Sequence, residues 1–146
     1  MSIESGQLKI LGNDIIYNSQ SYGQWTLPLS DVKAIGEYTS DQGPGVDDWF
    51  IIFFLKDGSW YEASYYCENI SAFKLEIKNK LNIDEVCSDL GGSTDYDSYL
   101  IWPKALKGEK AFIFETFYPS WWRKLFFWPS IKFNLSKELD NYLKST

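Results

Sequence analysis

A chain of 146 residues, 45% hydrophobic and 23% charged, has the composition of an ordered globular protein and fits one domain spanning residues 1–146. Its formal net charge of −6 is uneven: residues 1–103 carry 16 acids and 6 bases, whereas residues 104–146 carry 4 acids and 8 bases. Phosphate binding needs clustered Lys and Arg, so the acidic majority argues against nucleic acid as the main partner. It leaves two readings, a solvated surface that keeps the chain soluble or a face for a basic partner.

Other classes recede on similar grounds. Cys67 and Cys87 do not make a disulfide framework. The first residues show no basic region and no apolar run, so no signal peptide is expected. No stretch approaches the roughly 18 apolar residues of a spanning helix. A cytoplasmic location with reduced thiols is the expectation.

In chain order, Leu8 and Ile10, then Ile15, Ile16 and Tyr17, flank Gly12-Asn13, which predicts a tight hairpin. Trp25, Leu27 and Leu29 alternate, with Pro28 marking an edge or bend. Val32–Thr39 reads as a strand opened by the turn residues Ser30-Asp31, and residues 40–48 read as a loop around Gly43-Pro44-Gly45. Trp49–Leu55 is a continuous β-branched and aromatic run, as a central buried strand requires. Asp57-Gly58 turns the chain, and Trp60–Tyr66 returns with aromatics.

Ile70, Phe73, Ile77 and Leu81 recur at helical spacing, with Asn69 or Ser71 as cap, and predict an amphipathic helix on a sheet. Residues 84–97, with five acids and no base, read as a loop or short helix. Tyr99–Trp102 and Lys110–Phe117 read as strands joined through Lys107-Gly108. Residues 118–133 fit no regular pattern, and Leu135–Lys144 predicts a helix with Leu135, Leu139 and Leu143 on one face. The order, about four strands, a helix, two or three strands and a helix, predicts an α+β fold. It is an antiparallel, β-rich domain, either a bent sheet or a small barrel-like sandwich, with a mid-chain and a C-terminal helix.

Over residues 7–82 the pattern of Gln7–Ile10, Trp25–Gly36, Trp49–Leu55, Asp57-Gly58 and a helix resembles bacterial pleckstrin-homology-like domains. The resemblance implies short meandering strands closed by a helix, and a lipid- or peptide-binding role. The chain departs from that pattern where further strands follow the helix at 70–81.

The chain has no histidine, which removes the commonest general base and excludes Ser–His and Cys–His triads. The two cysteines, 20 residues apart, do not form a zinc motif and read as small apolar residues. Neither Gly43-Pro44-Gly45 nor Gly91-Gly92 is a phosphate cradle. Asp47, Asp48, Asp57, Asp84, Glu85, Asp89, Asp95 and Asp97 supply carboxylates, but no spacing singles out a hydrolytic pair, and no calcium loop is present. No metal and no cofactor are expected.

Tyr118–Phe133 gathers three tryptophans and three phenylalanines around Lys124, Lys132 and Arg123, the only arginine. It reads as a buried turn with its charged ends reaching solvent, as a protein-contact surface, or, against the overall acidity, as a membrane contact. The reading adopted is a non-enzymatic, protein-binding domain of the immunity or inhibitor kind, for a basic partner. The expected site residues are Asp41, Asp47, Asp48, Trp121, Trp122 and Arg123. A pleckstrin-homology-like adaptor or lipid-sensing domain, and a carboxylate-dependent hydrolase, are the alternatives.

Overall fold

The structure, a computed structural model, describes residues 5–39, 49–83, 97–117 and 130–145. Among these residues it is an α+β fold of three antiparallel, open sheets and two helices. β1 (Gln7–Leu11), β2 (Asp14–Ser19) and β3 (Gly23–Pro28) form the first sheet, in that order. The two-residue turn between β1 and β2 requires positive φ, and Gly12 takes it at 64°.

The second sheet contains β4 (Ala34–Thr39), β5 (Trp49–Phe54), β6 (Trp60–Ser64) and β7 (Asp97–Trp102), ordered β6-β5-β4-β7. A third, two-stranded sheet pairs β8 (Phe112–Phe117) with β9 (Ser130–Leu135). α1 (Ile70–Leu81) follows β6, and α2 (Lys137–Ser145) ends the chain.

Among the described residues six strands therefore precede α1, not about four. The hairpins expected at Gly12-Asn13 and Asp57-Gly58 are both present, and each contributes two strands. The strand expected from Val32 begins at Ala34, because Leu29–Asp31 coil into one 3-10 turn after Pro28. The strand expected from Lys110 begins at Phe112. Leu135 ends β9 rather than opening the last helix. Ser136 caps α2 by accepting the Leu139 N–H at 3.2 Å, so the helix starts at Lys137.

β5 has neighbours on both sides, as its unbroken apolar run requires. Side chains alternate across a strand, so β5 feeds two cores. Ile51 and Phe53 enter the first, with Leu8, Ile15, Tyr17 and Leu27 of the first sheet and Phe73 and Ile77 of α1. Ile52 and Phe54 enter the second, with Leu106, Phe112 and, from α2, Leu139 and Leu143. Ile51, Ile52, Phe53 and Phe54 are each 0% exposed. The second sheet is thus a middle layer covered on both faces.

Candidate functional site

The six residues expected to form the site all lie outside the described residues: Asp41, Asp47 and Asp48 in one segment, Trp121, Trp122 and Arg123 in another. The described chain carries a different cluster, on and after β6. Residues 57–68 hold three acids (Asp57, Glu62, Glu68), no base, and the aromatics Trp60, Tyr61, Tyr65 and Tyr66. Among the described residues the exposed large hydrophobic side chains are Leu11, Tyr61, Tyr66 and Leu75, so two of the four belong to this stretch.

β6 is the outer strand of its sheet, and its pairing decides which groups face outward. The Tyr65 N–H donates to the Trp49 carbonyl at 2.8 Å, and the Leu55 N–H donates to the Ser59 carbonyl at 2.9 Å. Hydrogen-bonded pairs alternate in an antiparallel ladder, so Tyr61 and Ala63 turn their main chain to β5 while Trp60, Glu62 and Ser64 turn theirs outward. Two aromatic side chains of the first sheet meet those outward groups. The Trp25 indole N–H donates to the Glu62 carbonyl at 3.0 Å, and the Ser64 N–H donates to the Tyr17 hydroxyl oxygen at 3.3 Å.

The same contacts fix the aromatic surface. The Trp25 ring lies 5.3 Å from that of Tyr61 and 5.7 Å from those of Tyr17 and Phe53, the latter two buried. Tyr61 is thus an exposed ring on a rigid base. Further along, Tyr65 stacks on Trp49 at 4.9 Å, and Lys74 of α1 donates to the Tyr65 hydroxyl at 3.0 Å. That lysine brings one positive charge to the Tyr65 end of the stretch.

Glu62 points to the opposite face of β6 from Tyr61. Its carboxylate accepts the Tyr38 hydroxyl at 3.1 Å, and a side-chain hydrogen bond from Trp60 also reaches it. Burial raises the Glu62 pKa above the ordinary value of 4.5, against the lowering effect of these two donors. Burial and, after it, the Glu62 charge push the Tyr38 hydroxyl far above its ordinary range. Asp57 is shifted the other way: the Ser59 hydroxyl and N–H donate to it at 2.5 and 2.9 Å and hold its exposed carboxyl below the usual range.

The partners of Glu62 are a phenol and an indole, and among the described residues no second carboxylate joins them. Among the described residues no three Cys, Asp or Glu side chains gather where a metal would be held. Cys67 is buried in the first core. Among the described residues no helix is long and apolar enough to cross a membrane.

From sequence alone, Trp60–Tyr66 reads as a return strand and no more. The signal available was the coincidence of four aromatics with three acids and no base between residues 57 and 68. What it could not supply was which rings face solvent. Comparisons with models of known protein families, with curated proteins and with solved structures found no match.

Proposed function

We propose that this chain is a non-enzymatic domain that binds a basic protein partner, and that the β6 stretch forms part of the contact surface. The observation that carries this reading is the exposed Tyr61 ring, packed on Trp25, with a second exposed ring at Tyr66 on the same segment, whose formal charges are all negative. Tyr and Trp dominate binding energy at protein interfaces, since they offer large area at small entropic cost. The exposed carboxylates of Asp57 and Glu68 on the same segment steer a basic partner and speed its association.

The pleckstrin-homology-like resemblance supports the same class of role. Six short antiparallel strands are followed by a helix within residues 7–82, and that helix packs into the core shared by the first two sheets. A lipid headgroup is the competing ligand on that view.

The test is affinity capture from the native cell, followed by binding kinetics with the purified partner. The reading expects a basic protein whose association rate falls between about 50 and 300 mM salt, as screening tightens. It also expects Tyr61→Ala with Tyr66→Ala to weaken binding at least about tenfold. Both rings are exposed enough for the double variant to fold. Retention of an acidic partner, or affinity indifferent to the double variant, would overturn the assignment. Binding to anionic vesicles without a protein partner would instead favour the lipid-sensing alternative.

A further inference from the structure

The sheet edges of this molecule are not treated alike. At β1 the outward main-chain groups of Leu8 are both taken by the side-chain amide of Asn69: Leu8 N–H donates to Asn69 Oδ1 at 2.9 Å, and Asn69 Nδ2 donates to the Leu8 carbonyl. At β6, Trp25 and Tyr17 occupy outward groups of Glu62 and Ser64. At β7, Leu100 is paired by the turn that follows, its N–H donating to the Glu109 carbonyl at 2.7 Å and its carbonyl accepting the Gly108 N–H at 2.9 Å. Each of these strands has a dedicated cover.

β3 has none among the described residues. It is the outer strand of the first sheet, paired with β2 on one side only. The Leu29 N–H donates to the Asn13 carbonyl at 2.8 Å, which sets the alternation: Trp25 and Leu27 turn their main chain to β2, while Gln24, Thr26 and Pro28 turn theirs outward. Among the described residues no hydrogen bond engages the outward N–H and C=O groups of Gln24 and Thr26. Edge strands are commonly protected by a charged side chain, yet Gly23–Pro28 contains no charged residue. An open depression of about 320 Å³ lies over the β2–β3 pair, lined by Ile16, Tyr17, Asn18, Gln24, Trp25 and Thr26.

We infer that the β3 edge is a self-pairing surface, where a second copy of this chain adds its own β3 antiparallel across a two-fold axis. A second copy fits because the strand is complementary to itself. With the axis at Trp25, Gln24 faces Thr26 of the second copy and Thr26 faces its Gln24, giving about four main-chain hydrogen bonds from two reciprocal pairs. The two Trp25 side chains then lie opposite each other as an aromatic cross-strand pair. A charged strand would meet its own charge at such an axis, whereas a neutral one does not. Pro28, which lacks an N–H, falls opposite Tyr22 of the second copy, beyond the paired stretch. It ends the ladder there and disfavours registers that would bring it between the strands.

The experiment is sedimentation equilibrium of the full chain over a concentration series, with wild type, Thr26→Lys and Thr26→Pro. Thr26 is exposed and its main chain does not pair with β2, so circular dichroism and melting should show both variants folded. Thr26→Lys places two cations near the axis, and Thr26→Pro removes an outward N–H. Wild type is expected to rise from monomer mass toward twice that mass as concentration increases, and both folded variants to weaken that association at least tenfold. A wild type that stays monomeric throughout, or a dimer unaffected by the folded variants, would overturn the inference. If Thr26→Pro fails to fold, Thr26→Lys alone decides the outcome.

Discussion

Asn69 stands at the head of α1, and its amide clasps both main-chain groups of Leu8, the fully buried residue of β1, 61 residues earlier in the chain. The Asn69 position is that of an N-cap, but its side chain makes no cap hydrogen bond. A side-chain amide carries the same donor and acceptor as a peptide, so Asn69 serves the edge of β1 as one unit of a further strand would. The neighbouring Glu68 N–H donates to the Gly6 carbonyl at 3.0 Å and extends the contact.

Asn69→Ala is therefore expected to cost about 1–3 kcal/mol, more than an exposed helix cap, because it strips the partners from both Leu8 groups. Asn69→Asp should fare no better, since a carboxylate would meet the Leu8 carbonyl oxygen. Urea denaturation with a constant m-value checks both. A loss under about 0.5 kcal/mol for Asn69→Ala would show that water replaces the amide without cost.

Phe53 and Phe54 are consecutive, wholly buried and in different cores. Phe53→Ala and Phe54→Ala should each lower stability by about 3–5 kcal/mol. If only one of them does, the layer on the other face of the middle sheet contributes little to the fold.

Gly36, in the middle of β4, has no backbone need for glycine. A Cβ there would lie 3.0 Å from the Tyr99 carbonyl oxygen and 3.3 Å from both the Phe54 ring and a Leu100 methyl. Gly36→Ala is expected to destabilise by about 1–3 kcal/mol, the usual cost of overpacking a filled interior. Thermal melts of wild type and variant provide the measurement.

The raised pKa of Glu62 has a definite sign in stability. Between the unfolded and the folded pKa the native state holds the extra proton, so stability falls as pH rises through that window. Below the unfolded value both states are protonated and the contribution is level. Above the folded value the cost of the buried charge is fully present. Glu62→Gln keeps a carbonyl oxygen for the Tyr38 hydroxyl and cannot ionise. It should equal or exceed wild-type stability at pH 7, with its advantage shrinking as pH falls toward 4.5. Asp57, with its lowered pKa, tilts the curve oppositely in both proteins, so the difference between them isolates Glu62. A Glu62→Gln variant less stable than wild type at pH 7 would contradict this account.

Local patterns in the sequence were enough to place the hairpin at Gly12-Asn13, the buried strand Trp49–Phe54, the Asp57-Gly58 turn and both helices. Each depends on periodicity or turn chemistry that neighbouring residues carry themselves. Composition likewise showed an acidic, aromatic chain without histidine. Tertiary structure decided what lies on what. Nothing local to Leu135 tells a strand end from a first helical turn, since Ser136 becomes a cap only once Leu139 and Leu143 are drawn into the second core. Nothing local to Trp25 or Asn69 shows that one covers Glu62 and the other Leu8. The contrast between Tyr61, exposed, and Phe53, buried opposite it in the ladder, has the same origin. Side-chain direction follows from the strand's own period of two, but whether a face meets water depends on which distant element packs against it.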